Sequence, residues 1–228
     1  MRATSLRLFL LLCLPLLLSC ATAQMQLAPE LDAEAALLVE GANPRRWNAP
    51  LRFGPWSTTE VREGGDWGFG VPVLGIEVGF SRQPYRLALG GGGGTEVRAE
   101  CVTRALLLSR NDASFDPSLG RIPALACAYR DSRGDGTLRI RNKATMGAEG
   151  TLRFAGDEWT VRSVHRLEGS RIPAGDPVGW EIVDGDRVIA AVETINRGRV
   201  WIDPSLVPAT RDRLAAVAAS LLLYVPQE

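Results

Sequence analysis

Leu214-Ala215-Ala216-Val217-Ala218-Ala219-Ser220-Leu221-Leu222-Leu223-Tyr224-Val225 carries no charge on any side. Its residues are mostly strong helix formers, and Pro226 marks a stop, so Pro204 to Val225 reads as a helix with Asp203 as N-cap. The uncharged part, about 12 residues, is too short to cross a bilayer, which takes about 20. A helix that is apolar all round must be enclosed by the rest of the protein. Alanine on several faces keeps it thin, which suits a narrow tunnel. Its charges, Arg211, Asp212 and Arg213, are confined to its first part.

Upstream of this segment, from Trp47 onward, the chain consists of short runs bounded by glycine, proline and aspartate. Strands are expected at 51–56, 58–63, 71–80, 85–89, 96–108, 122–130, 137–142, 151–155, 158–168, 178–184, 187–194 and 198–202. In 158–168, Trp159, Val161, Ser163, His165 and Leu167 share one face, opposite Arg162, Arg166 and Glu168. In 96–108, Val97, Ala99, Cys101, Ala105 and Leu107 oppose Arg98, Glu100 and Arg104. Period-two alternation describes a sheet with one wet and one dry face. Asp184-Gly185 joins two of these strands, and its glycine supplies the positive φ that a tight primed turn requires. Asp135-Gly136 reads as a similar turn, and Gly90 to Gly94 as a loop tip or a place of close backbone packing. The fold class is mainly β: about twelve antiparallel strands curled into a barrel that encloses the C-terminal helix. The alternative is a β-sandwich with the helix packed on it.

Gly179-Trp180-Glu181-Ile182-Val183-Asp184-Gly185, then Val188-Ile189-Ala190, Val200-Trp201-Ile202 and the apolar helix, resemble the end of a tubby-like barrel. That superfamily includes the tubby C-terminal domain, LURP-one-related proteins and phospholipid scramblases. The resemblance covers roughly residues 135 to 225. It implies a twelve-strand barrel around a hydrophobic C-terminal helix and an association with membranes or lipid headgroups. No ligand-contacting motif accompanies it, so it assigns no site residues.

The other end of the chain concerns export. Arg2 and Arg7 precede an apolar run from Leu8 to Leu18, and Leu17-Leu18-Ser19-Cys20 follows. A basic start, a short apolar core and a small residue at the cut describe a secretory signal peptide. Leu-Leu-Ser-Cys resembles a bacterial lipobox, which implies that Cys20 receives lipid, palmitate among its acyl chains, and becomes the mature N-terminus. Residues 1–19 are then signal peptide, 20–46 a lipid-attachment cysteine and tether, and 47–228 the β-rich domain. Within the tether, Leu31 to Glu40 reads as a short helix stopped by Gly41. Cleavage after Ala21-Thr22-Ala23 is the alternative and would release a soluble periplasmic or secreted protein. Ala21 rather than aspartate after the cysteine favours the outer membrane.

Cys13 leaves with the signal, so Cys101 and Cys127 are an even pair in an oxidising compartment, and a disulfide is expected. Closing a loop of about 25 residues stabilises by roughly 3.5 kcal/mol in the chain-entropy model. Without Arg2 and Arg7, 24 of the 26 basic residues face 26 acidic ones. That balance offers no basic footprint for nucleic acid.

Catalytic patterns are missing from the sequence. One histidine and two bridged cysteines do not make an ordinary zinc centre. Asp131-Ser132-Arg133-Gly134-Asp135-Gly136 has arginine where a calcium loop needs its second ligand, and Asn142 where it needs glutamate. A hairpin turn explains it better. There is no G-x-S-x-G, H-E-x-x-H or P-loop. His165 reads as a satisfied core histidine, and Asp112 and Asp116 as turn residues. Trp159, Trp180 and Trp201 suit inward positions, while Trp47, Trp56 and Trp67 suit either the core or a binding rim. The expected protein is a lipid-anchored envelope module, non-enzymatic, monomeric and without cofactor or metal. Its partners are the membrane through its N-terminal lipid, and a lipid headgroup or an envelope protein. A lipid or small-ligand carrier with a displaceable helix is the first alternative. A carboxylate enzyme using Asp112 or Asp116 with Asp131 or Glu158 is the second.

Overall fold

The computed structural model describes residues 22–41, 50–65, 67–73, 76–110, 124–143 and 147–224. Among them, thirteen strands form one antiparallel sheet. They are β1 (Leu37–Leu38), β2 (Arg52–Phe53), β3 (Trp56–Glu63), β4 (Trp67–Val73), β5 (Ile76–Gly91), β6 (Val97–Arg110) and β7 (Ala124–Asp131). Then come β8 (Gly134–Asn142), β9 (Ala148–Phe154), β10 (Asp157–Val164), β11 (Gly179–Asp184), β12 (Arg187–Glu193) and β13 (Arg199–Ile202). Twelve follow one path, β1-β13-β12-β11-β10-β9-β8-β7-β6-β5-β3-β2, while β4 pairs only with β5. The ends of that path meet, because Glu40 and Arg52 exchange backbone hydrogen bonds of 2.8 and 2.9 Å. The sheet is a nearly closed barrel rather than a sandwich, and the helix α1 (Pro208–Leu223) fills it.

Alternation sets which residues face the helix. On β8, Leu138 and Ile140 are buried while Arg139 and Arg141 are exposed, and Leu152 and Phe154 on β9 repeat the pattern. Cys101 and Cys127 lie directly opposite each other on β6 and β7, bridged, buried and within the core that surrounds α1. Asp184 and Arg187 flank the β11–β12 turn, where Gly185 has φ +58°. Asp135-Gly136 is not a turn: the β7–β8 connection lies at Ser132-Arg133, and both residues belong to β8. Glycine is needed at 136 because the Phe154 ring covers it; a Cβ there would stand 2.6 Å from Phe154 Cγ.

Every residue of α1 from Asp212 to Leu221 is buried. Its small face accepts the wall: Tyr85 Oη donates to Ser220 O at 2.8 Å, and Ser220 Oγ donates back to Ala216 O at 2.9 Å. The helix starts at Pro208, not Pro204, since a proline at the first position gives up no intrahelical bond. Asp203 closes the preceding turn instead, accepting from Ser205 N at 2.8 Å and Ser205 Oγ at 2.7 Å, and it pairs with Arg187.

Of the stretch read as a tether, residues 22–41 are described, and they pack on the barrel. Rather than a helix over Leu31–Glu40, they form a 3-10 turn at Ala33–Ala35, capped by Asp32, and then β1 on β13. Met25 and Leu31 cover Val178, Val183, Val188, Ala191 and Trp201 in a second apolar cluster. This layer buries both faces of β11 and β12, whose residues are almost all inaccessible. Trp201 is therefore buried in this second cluster, while its neighbour Val200 belongs to the barrel core. Pairing with a strand distant in the chain, plus this burial, outweighs local helix propensity. β10 ends at Val164, so His165 and Leu167 leave the inward face expected for them.

Candidate functional site

The strongest polar constellation among the described residues is where α1 enters the barrel. Asp212 is buried, and its Oδ1 accepts from Trp56 Nε1 at 2.8 Å and Gly93 N at 2.9 Å. Its Oδ2 accepts from Thr95 N at 3.4 Å. The glycine run is required for this approach: a Cβ on Gly93 would lie 2.7 Å from Asp212 Oδ2, and Gly92 has φ +59°. Trp56, left open between rim and core by its sequence context, is a core residue with its N–H committed to the helix. One residue on, Arg213 Nε donates to Asp131 Oδ2 at 2.8 Å, with the guanidinium 4.7 Å over the Phe154 ring. Burial pushes the Asp131 carboxyl up, but hydrogen bonds from Arg213, Arg133 N and Gly134 N outweigh it and hold it below the ordinary aspartate range.

These contacts decide the fate of the sequence candidates. Asp131 is bound to Arg213 and Asp135 to Arg130, so this hairpin holds ion pairs rather than a calcium loop. Glu158 is exposed and pairs with Arg153 at 2.8 Å. Cys20, Trp47, Asp112 and Asp116 lie outside the described residues. Among those described, no group of three or more His, Cys, Asp or Glu side chains is placed to hold a metal.

His165 is half-buried, and both ring nitrogens have partners: Ala174 O lies 3.1 Å from Nδ1 and Ser163 Oγ 3.1 Å from Nε2. A carbonyl only accepts, so the proton is assigned to Nδ1, and Nε2 accepts from the serine hydroxyl. Ser163 Oγ also takes Ala148 N at 2.8 Å. No carboxylate orients the ring, and the serine oxygen is already engaged. The pair clasps the 165–178 connection to β9 and β10.

The outer wall is accessible. An open groove of about 520 Å³ runs over β8, β9 and β10, lined by Arg139, Arg141, Lys143, Glu149 and Arg153 among others. Lys143 pairs with Glu149, and Arg153 with Glu158. Arg139 and Arg141 are exposed and make no ion pair among the described residues. The chain's first described segment is fastened to the barrel. Met25 N donates to Glu193 Oε2 at 2.8 Å, and Arg199 Nη2 binds the same oxygen at 2.7 Å.

Sequence reasoning passed over the Asp212 lock and this fastening. An acid between two arginines at the head of an apolar helix was the available signal for the first. The second has none, because Met25 and Glu193 are joined only by folding. No protein-family model, curated protein or solved structure matches this chain.

Proposed function

We propose that this chain is an exported envelope protein, acylated at Cys20, whose barrel is a non-enzymatic binding or structural module presenting its outer wall. The observation that carries the reading is the filled barrel. α1 is buried from Asp212 to Leu221 and secured at its mouth by Asp212 and Arg213. Displacing it would strand the Trp56 and Gly93 N–H groups and take Arg213 away from the Asp131 carboxylate, which argues against a removable plug. The polar groups that most resemble catalytic ones, Asp131 and His165 with Ser163, are consumed in holding the fold together. The plan of strands around a terminal helix accords with the tubby-like resemblance. Ala21 after the cysteine favours the outer membrane.

Native mass spectrometry and fractionation test this together. The expected species is the mature chain plus covalent acyl groups, and Cys20→Ser is expected to lose them and leave the membrane fraction. Additional non-covalent lipid at stoichiometric levels would favour the carrier reading instead. Unchanged membrane association of Cys20→Ser would remove the anchor.

A further inference from the structure

We infer that the outer wall from β5 to β10 binds an anionic polysaccharide, held by Arg82, Arg104, Arg139 and Arg141. This rests on the reading of the barrel as a module that presents its outer wall, and it does not depend on acylation of Cys20. Among the arginines of β5 to β10 whose side chains are described, Arg86, Arg98, Arg130, Arg153 and Arg162 each meet an acid within 3.3 Å. The other four are exposed and make no ion pair among the described residues. The chain as a whole has a formal net charge of zero, so these four are a local excess of cations.

The register brings the four together. Arg82 on β5 stands directly opposite Arg104 on β6. Arg104 pairs with Ala124 on β7, and Ala124 pairs with Arg141 on β8. Two residues along β8, Arg139 lies opposite Ala126. At about 4.8 Å between strands and about 3.4 Å per residue, the four spread over about 14 Å across the strands and about 7 Å along them. That area matches several anionic groups rather than one. Like charges directly opposite each other destabilise a sheet. Two other arginine pairs of this kind occur among the described residues, and both are neutralised. Arg62 and Arg86 meet Glu60 and Glu100, while Arg98 and Arg130 meet Glu96 and Asp135. Arg82 and Arg104 have no acid of their own among the described residues, and a bound anion would fill that role.

The surroundings favour a sugar polymer. Arg139 and Arg141 line the groove of about 520 Å³ over β8 to β10. Thr151 lies opposite Arg139, and Thr160 lies opposite Thr151, in the same groove. Both threonines are exposed, and their hydroxyls have no hydrogen-bond partner among the described residues. A free hydroxyl both donates and accepts, as the hydroxyls of a sugar do. A protein partner is held chiefly by aromatic and large aliphatic anchors. A bilayer surface takes up apolar side chains. Among the described residues the exposed large apolar side chains are Leu38, Ile172 and Val207, none of them on β5 to β10.

The test is calorimetric titration of the purified full mature protein with polygalacturonate at low ionic strength. Binding is expected. Arg139→Ser with Arg141→Ser is expected to weaken it at least tenfold, and Arg82→Ser with Arg104→Ser at least fivefold, with thermal melts no lower than wild type. Arg171→Ser with Arg197→Ser removes two exposed arginines that lie off this wall and is expected to change binding less than twofold. Neutral dextran is expected not to bind, and poly-glutamate to bind at least tenfold more weakly than polygalacturonate. Equal losses from all three double variants would reduce the effect to overall charge and overturn the site. Tighter binding of poly-glutamate, or of vesicles containing phosphatidylglycerol, through the same four arginines would overturn the sugar polymer as occupant. No binding of polygalacturonate would overturn the inference, while the filled barrel, and acylation as read from the intact mass, would stand.

Discussion

Two single residues show how little freedom the interior has. Ala216 is fully buried on a helix surrounded by wall, so Ala216→Arg forces an unpaired charge into an apolar core and is expected to abolish folding. Far-ultraviolet circular dichroism with a thermal melt checks this, and a wild-type melting curve would refute an enclosed helix. Asp212 is the one acid buried on that helix. Asp212→Ala strands the Trp56 and Gly93 N–H groups and is expected to cost about 3 kcal/mol. Asp212→Asn keeps an acceptor oxygen and is expected to cost about 1 kcal/mol. Urea midpoints rank the two; equal losses would show that the hydrogen bonds contribute nothing. The alternation that puts Leu138 and Ile140 inward was legible in the sequence. The partners of Asp212 were not, because Trp56 and Gly93 lie more than a hundred residues earlier in the chain.

Among the elements, the link between α1 and the β7–β8 hairpin has a pH signature. The folded Asp131 carboxyl titrates below its unfolded value of about 3.9. Its contribution to stability is therefore whole above that value and is lost as pH falls through the lower folded value. Asp203, also held low by Ser205 and Arg187 despite its burial, adds acid sensitivity of the same sign. Urea denaturation should show wild type losing its advantage over Asp131→Asn below about pH 4 and keeping a constant advantage above pH 5. A gap that widens on acidification would contradict the sign. The positions of β6, β7 and β11 to β13 followed closely from the turn residues and the alternation, whereas β8 takes in the Asp135-Gly136 read as a turn and β10 stops at Val164. The β4–β5 pair did not: 71–80 is expected as one strand, yet β4 ends at Val73 and β5 begins at Ile76.

At the scale of the whole molecule, the N-terminal segment is a second layer over β11, β12 and β13. Met25 is 2% exposed, so Met25→Ala is expected to cost about 2 kcal/mol in chemical denaturation, whereas a free tether would register no change. Residue chemistry alone determined the strand-rich body, the Cys101–Cys127 bridge and the need to enclose residues 214–225. Those depend on local periodicity, on the parity of two thiols and on solvation, all properties of short stretches. Only the tertiary structure decided that the sheet closes through Glu40 and Arg52, that Trp201 is buried in the second cluster rather than the barrel core, and that Asp212 and Arg213 lock the helix mouth. Each of these joins groups far apart in the chain, whose meeting depends on how the strands are ordered around the barrel rather than on the sequence near either partner.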